Sequence, residues 1–345
     1  MYRPTTKNEW WFGGTLFLQG ILVTLLEVYI LLQWQSWVNP NITQVPVSYI
    51  LPIGMGILVF AGVYEAILCL DAFHHKNNIS LVAICTSNVC IVVYAVMQYL
   101  KMRETVQSLR YGKDGMGHPL ADSSRDIWAS LRPAELAVPI ILSACSLFII
   151  PIAYRLHKDY AWAIYKSIHG SSLLRFRYLA YEVYIVLIKF DFFFLVGFIV
   201  QYDLVDVHFI EPEYSLTMAL IPVALCVMLF GIYCVKSELK LGMLLVIVFL
   251  LALIAYLLSR IIVLCGHTLR ARTAGKEMML LFAAIALILT VFTTACAIQC
   301  IVNFGHGLKK VTRGEDRWPQ SYAFHTLSGP PSPDFKDRER RCIID

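Results

Sequence analysis

Three ionisable residues inside one long apolar run are the strongest chemical signal in the sequence. Glu182, Lys189 and Asp191 fall within residues 179–202, which are otherwise rich in Phe, Leu, Ile and Val. A charge at the centre of a membrane-spanning helix costs about 2.5–3.5 kcal/mol, whereas a good apolar residue returns about 0.3–0.6 kcal/mol. The three charges nearly cancel the apolar gain of this run, so we expect them to need partners on other helices.

Depth along the apolar runs suggests which residues those partners are. Glu182 and Lys189 are two turns apart, about 10 Å along the helix axis, so they are poor partners for each other. Matching residues of similar depth predicts that Glu65 pairs with Lys189. The same reasoning predicts that Glu27 pairs with Arg260.

Asp191 is then left for Asn88 or for water. Buried ionisable residues of this kind mark an ion or proton pathway. They can equally fix the register of packed helices, and the sequence leaves both interpretations open. The candidate buried polar and ion-pair residues are Glu27, Glu65, Asn88, Glu182, Lys189, Asp191 and Arg260.

Other motifs give weaker signals. The chain has no His-Glu-x-x-His, no Gly-x-Ser-x-Gly and no Gly-rich phosphate loop. Asp71, His74 and His75 share one helical face and could hold a metal, but the interpretation we favour is a polar cap at the membrane interface. We predict no catalytic, cofactor-binding or metal site, and no enzyme activity. Asn41 begins an Asn-Ile-Thr sequon and is a candidate glycosylation site.

The elements that must position these residues are membrane-spanning helices. Of the 345 residues, 58% are hydrophobic and 15% are charged, against about 45–50% and about 25% in soluble domains. We predict an all-α polytopic transmembrane helix bundle at 11–303, after a cytosolic N-terminus at 1–10 and before a disordered basic cytosolic tail at 304–345. Eight runs can cross about 30 Å of hydrocarbon, approximately 11–32, 48–70, 80–100, 134–156, 179–202, 214–235, 241–265 and 278–302.

The distribution of Lys and Arg predicts the orientation. With the N-terminus in the cytosol, the cytosolic segments hold eighteen Lys and Arg residues and the opposite side holds nine. Basic residues favour the cytosolic side, so both termini are predicted to be cytosolic. Two segments are not predicted to span: a polar loop at 101–133 and an amphipathic interfacial helix at 157–177.

Charge and small residues indicate the partners. The net charge of +5 comes from loops and tail, which fits membrane topology and lipid contact better than nucleic-acid binding. Ala286, Thr290 and Thr294 form a stripe of small residues that lets helices approach closely. That contact would lie within the bundle or between copies of the chain in a homo-oligomer.

The aromatic segment Lys189-Phe190-Asp191-Phe192-Phe193-Phe194 is distinctive. Together with Asn303-Phe304-Gly305, it resembles an uncharacterised family of fungal multi-pass Golgi apparatus membrane proteins. The resemblance covers about residues 10–310. It implies a Golgi location and no activity, since fold-level analogy does not supply one.

The first functional hypothesis is therefore a multi-pass Golgi membrane protein of unestablished activity. Its polar interior would serve transport, or membrane trafficking and organisation. The second hypothesis is an intramembrane enzyme acting on a lipid, which would need a nucleophile, an acid or metal ligands converging in one pocket. The third is a seven-helix-type receptor, which needs an odd number of spans and termini on opposite sides. No cofactor is expected.

Overall fold

The fold is a bundle of long α-helices. A computed structural model describes residues 6–38, 46–113, 118–122, 125–167, 172–207, 212–266 and 275–305. Each of the eight helices in these residues is long and apolar enough to cross a membrane, which confirms the predicted all-α bundle. The helices are α1 (Lys7–Trp37), α2 (Pro46–His75), α3 (Asn78–Tyr111), α4 (Ile127–Ser167), α5 (Ser172–Gln201), α6 (Glu213–Ser237), α7 (Lys240–Cys265) and α8 (Lys276–Asn303).

Successive helices run in alternate directions, so α1 begins where α8 ends. The start of α1 packs on the end of α2 through an edge-to-face contact of Phe12 and Phe73. The start of α5 meets the end of α8 where the Cys300 thiol donates to the Ala180 carbonyl. We call this side of the bundle the terminal end, and the opposite side the distal end.

Both borders of the polar loop predicted at 101–133 are wrong. Helix α3 continues to Tyr111 and α4 already begins at Ile127. The reason is that the distal extensions of α3 and α4 carry apolar residues at helical spacing. These residues pack against each other and against the distal end of α1 instead of facing lipid. This distal cluster contains Trp34, Trp37, Met102, Val106, Leu109, Leu120, Ile127 and Leu131.

The separate interfacial helix predicted at 157–177 is also not found. Helix α4 runs without a break to Ser167, and α5 begins at Ser172. Tyr160 is buried, and its hydroxyl donates a 2.8 Å hydrogen bond to the Glu9 carboxylate of α1. At Tyr160 the segment therefore packs on the bundle, and the side chains of residues 162–175 lie outside the described part of the chain.

Helix α5 is the central helix of the bundle. Within its apolar window 67% of the residues are buried, against 17% in α6, so polar residues on α5 face protein instead of lipid. The small-residue stripe of α8, Ala286, Thr290 and Thr294, is buried within the bundle. A π-helical turn, Tyr202–Val207, extends α5 at the distal end.

The structure does not describe two of the segments for which the sequence makes predictions. Asn41 lies outside the described residues, and so does the predicted tail from residue 306 onward.

Candidate functional site

Lys189 of α5 is paired with Asp71 of α2. Its ammonium group lies 2.5 Å from the Asp71 carboxylate, and the two side chains are 18% and 32% exposed. His75, one turn beyond Asp71, lies 3.4 Å from the same carboxylate, and the Tyr64 hydroxyl donates to the Lys189 carbonyl. The predicted pair of Lys189 with Glu65 is wrong, because the long lysine side chain reaches toward the terminal end of the bundle.

Glu65 instead belongs to a buried polar chain that crosses α2, α3 and α4. The Asn88 amide donates to the Glu65 carboxylate at 3.2 Å. The Ser146 hydroxyl donates to the Asn88 carbonyl oxygen and also contacts the carbonyl of Leu142. All three side chains are buried. A chain of this kind holds three helices in register.

Asp191 contacts α8 and not Asn88. The Thr290 hydroxyl donates a 2.8 Å hydrogen bond to its carboxylate, and both side chains are buried. The predicted contact of Asp191 with Asn88 is therefore wrong, since Asn88 contacts Glu65. The small residues of α8 bring its backbone close to α5, which places Thr290 within reach.

Arg260 of α7 is paired at the distal end with the first residue of α6. Its guanidinium donates to the Glu213 carboxylate at 3.0 Å and to the Tyr202 hydroxyl at 2.9 Å. It also lies 5.1 and 5.2 Å from the ring centres of Tyr202 and Tyr256. The predicted pair with Glu27 is wrong, because α6 begins with an acidic residue at the depth of Arg260.

Glu182 lies near the start of α5, at the terminal end. Its side chain is 7% exposed. Tyr178, one turn earlier, is its hydrogen-bond partner, and His75 acts on it electrostatically. Among the described residues, no group of three His, Cys, Asp or Glu side chains is placed to hold a metal ion.

Glu27 of α1 has an environment unlike that of the other charged groups. It is 1% exposed, and neither carboxyl oxygen has a hydrogen-bond partner in the described part of the chain. Glu135 of α4 is 2% exposed and lies close enough to act electrostatically on the Glu27 carboxyl. Two acidic side chains thus share a buried region between α1 and α4.

Two polar side chains of α3 border this region. The Tyr94 hydroxyl is an electrostatic neighbour of Glu27. Gln98 is 4% exposed, and neither of its amide atoms has a partner among the described residues. A Cβ at Gly54 would lie 2.8 Å from Gln98 Oε1 and 3.3 Å from Tyr94 Oη, so the glycine leaves space for both. We call Glu27, Gly54, Tyr94, Gln98 and Glu135 the distal acidic site.

A small recess adjoins the distal acidic site. It has room for about one water molecule. Gly275, at the start of α8, borders the recess and shows that it lies at the distal end. Gln201 also lines it, where α5 changes into the π-helical turn; π-helical turns occur frequently at functional sites. Gly54 and Tyr94 line it too and connect it to the distal acidic site.

Sequence reasoning missed several of these residues. Glu135 is the second residue of the predicted span at 134–156 and is not among the candidate residues named from the sequence. Because α4 begins at Ile127, Glu135 lies two turns inside the helix. Asp71 was interpreted as an interfacial cap, and Glu213 preceded the predicted span at 214–235. Acidic residues within one turn of a predicted boundary were the available signal in each case.

Comparison with known proteins supports the family resemblance. The chain is 28% identical over 330 residues to a UPF0658 Golgi apparatus membrane protein of Schizosaccharomyces pombe, covering 89% of this chain and 90% of the relative. No family model matches the chain. No solved structure matches it either. The predicted resemblance is confirmed: this multi-pass membrane protein, whose activity is not established, is similar to a fungal family of uncharacterised Golgi apparatus membrane proteins.

Proposed function

We propose that the protein is a proton-linked transporter of the Golgi membrane and not an enzyme. The supporting observation is Glu27, which is 1% exposed with both oxygens unpartnered among the described residues. An ionised carboxylate without a counter-ion is very unfavourable in apolar surroundings. Glu27 therefore carries a proton at rest, and intramembrane acidic residues of this kind are typical members of proton relays.

Two partly buried cations, on α5 and α7, balance other carboxylates. Lys189 is paired with Asp71, and Arg260 is paired with Glu213. Glu135 adds a second acidic group beside Glu27 and does not compensate it. Protons are therefore the available charge balance for this part of the bundle.

The bundle geometry disfavours a seven-helix-type receptor. Such a receptor has an odd number of spans and termini on opposite sides of the membrane. The described residues form eight spanning helices, with the start of α1 and the end of α8 at the same end of the bundle.

Proton movement can be measured with purified protein in lipid vesicles that contain a pH-sensitive dye. After an acid step outside, vesicles with the protein are expected to acidify inside faster than protein-free vesicles. Glu27→Gln should remove the difference, because an amide cannot bind and release a proton at neutral pH. Glu104→Gln is the matched control, since Glu104 is an exposed glutamate of α3. Identical acidification with wild-type protein and without protein would contradict the proposal.

We propose further that both termini face the cytosol and that the distal end faces the Golgi lumen. The supporting features are the two-to-one excess of Lys and Arg on the terminal side and the name of the Schizosaccharomyces pombe relative. Asn41 lies between α1 and α2, whose connection is at the distal end, so a glycan there would be lumenal.

Orientation is measured with a tag on each terminus. In sealed Golgi vesicles, added protease is expected to remove both tags, because both lie outside the vesicle. A lumenal marker protein that stays intact is the control for sealing. Protection of either tag would show that the terminus lies in the lumen and would overturn the orientation.

A further inference from the structure

We propose that Glu27 and Glu135 form one proton-binding site, which a water molecule in the recess at Gly54 and Tyr94 connects to the distal surface. The inference deepens the proposed proton-linked transport by naming where the proton binds. The role of the site in transport rests on the proposed function. The proton binding itself is argued from the geometry of the distal acidic site.

The pair of carboxyl groups is the first part of the argument. Glu27 and Glu135 are 1% and 2% exposed, on helices α1 and α4, and at least three of their four oxygens lack a hydrogen-bond partner in the described residues. Like charges that are close together and removed from water do not both ionise. The pair therefore binds and releases its protons as one coupled unit.

Helices α2 and α3 supply further groups at the distal acidic site. Helix α3 supplies the Tyr94 hydroxyl and the Gln98 amide. Helix α2 supplies Gly54 and, in the adjoining apolar cluster, Leu51 and Met55. These groups add no positive charge beside the pair.

A nearby cation is engaged elsewhere. Lys101 lies one turn beyond Gln98 on α3, and its side chain is 37% exposed. It is paired with Glu104 and with Glu277, each at 3.3 Å. Its charge is therefore balanced near the distal surface.

Gln98 is an independent sign that the site accepts a ligand. Its amide oxygen and nitrogen are both buried and unpartnered among the described residues. Such groups are costly to bury unless water or another ligand satisfies them. The Gln98 oxygen and the Tyr94 hydroxyl both lie within 3.3 Å of the Cβ position of Gly54, and the adjoining recess has room for about one water molecule.

The proton step follows from these positions. A hydronium ion formed in the recess gives a proton to the hydroxyl of Tyr94, which lines the recess and neighbours Glu27. The hydroxyl passes its own proton to an ionised carboxylate of the pair, which leaves a water molecule, an intact hydroxyl and a neutral carboxyl group. Release is the reverse step. A Cβ at Gly54 would meet Gln98 Oε1 at 2.8 Å, so a larger residue there must displace the amide and narrow the recess.

The experiment measures the proton on the pair directly. Dicyclohexylcarbodiimide partitions into apolar regions and reacts with protonated carboxyl groups. The carboxyl oxygen bonds to the carbodiimide carbon, and the acid proton moves to nitrogen. We expect mass spectrometry of the labelled wild-type protein to locate the adduct on Glu27 or Glu135. Labelling should fall as the pH is raised, and no adduct is expected at Asp71, whose carboxylate is paired with Lys189.

Variants supply the controls. Glu27→Gln should leave an adduct at Glu135, and Glu27→Gln with Glu135→Gln should lose labelling of both positions. A water-soluble carbodiimide should instead label the exposed Glu104 and spare the pair. Gly54→Ala should slow the proton flux into vesicles while both carboxyl groups remain. Melting curves in detergent identify any variant that is misfolded. The main test, labelling of the wild-type protein, does not depend on the folding of any variant.

The outcomes separate this inference from the proposed function. Proton flux by the wild type without an adduct on either glutamate overturns the site and leaves the transport proposal standing. A pH-dependent adduct on the pair without flux supports the site and overturns the transport proposal. An adduct that is unchanged as the pH rises overturns the site, because the pair would not release its proton.

Discussion

Replacing Lys189 with Met is expected to destabilise the folded bundle by about 2 kcal/mol, a large fraction of the stability of a typical fold. Lys189 is the partner of Asp71, and its removal leaves a carboxylate without its counter-ion between α2 and α5. Removal of one member of a fully buried pair costs about 3–5 kcal/mol. The value expected here is lower because the two side chains are 18% and 32% exposed and water screens part of the loss. Thermal unfolding in detergent and the steady-state protein level both report the change.

The second variant of the pair tests the cause. Lys189→Met together with Asp71→Asn should recover most of the lost stability, because no uncompensated charge remains. Lys101→Met is the control, since Lys101 is 37% exposed and exposed ion pairs contribute about 0–1 kcal/mol. Equal destabilisation in the single and double variants would show that Lys189 acts through its packing and not through its charge.

The pair of Asp71 and Lys189 and the distal acidic site differ in their charge balance. The first is a balanced ion pair at the terminal end that links α2 to α5. The second holds two buried carboxyl groups at the distal end, and Glu135 acts electrostatically on Glu27. Buried charges can fix helix register or carry protons, and the sequence left both interpretations open. The structure places a candidate for each at opposite ends of one bundle.

The membrane-spanning architecture could be predicted from the sequence because it depends on the sum of many apolar residues. Eight long apolar runs became eight helices. The errors lie at the ends, where α3 extends to Tyr111 and α4 begins at Ile127. Met102, Val106 and Leu109 carry the helical spacing of a buried face, but the polar residues between them lower the average hydropathy. Periodicity, and not mean hydropathy, was the signal for these extensions.

The ion pairs could not be predicted in the same way. Sequence gives the depth of a residue along a helix axis to within a few residues, and depth alone suggested Glu65 for Lys189. Pairing also depends on which helices are neighbours and how each is rotated about its axis. A step of one residue turns the side chain by about 100°. The rotation of the helices and the length of the lysine side chain together place the Lys189 ammonium group at Asp71 and not at Glu65.

The partner of Asp191 could not be predicted from the sequence for the same reason. It is two residues from Lys189 and so points to a different face of α5. That face meets α8, where Thr290 donates to it. The small-residue stripe of α8 predicted close packing, but it did not indicate which helix would be packed against it. The partner of α8 emerges from the tertiary arrangement alone.

Substitution of Gly197 on α5 is expected to destabilise the fold more than any other single substitution proposed for this protein. A Cβ at this position would lie 2.4 and 2.6 Å from two ring atoms of Phe282 on α8. Phe282 is 3% exposed and packs on Tyr94 and Phe194, with ring centres 5.2 and 5.6 Å apart. The ring therefore has little room to move away. Gly197→Val is expected to cost about 3 kcal/mol through overpacking, at the upper end of the usual range, and to lower the unfolding temperature and the cellular level.

A smaller residue opposite Gly197 tests whether the ring is the cause. Gly197→Ala should destabilise less than Gly197→Val, and Gly197→Ala with Phe282→Leu should recover part of the loss. Gly14→Ala of α1 is the control, because a Cβ there meets nothing within 4 Å. That variant should be neutral or more stable by about 0.5–1 kcal/mol, since alanine favours a helix over glycine. If Gly197→Ala were as stable as the wild type, α5 and α8 would not be as closely packed as the structure has them.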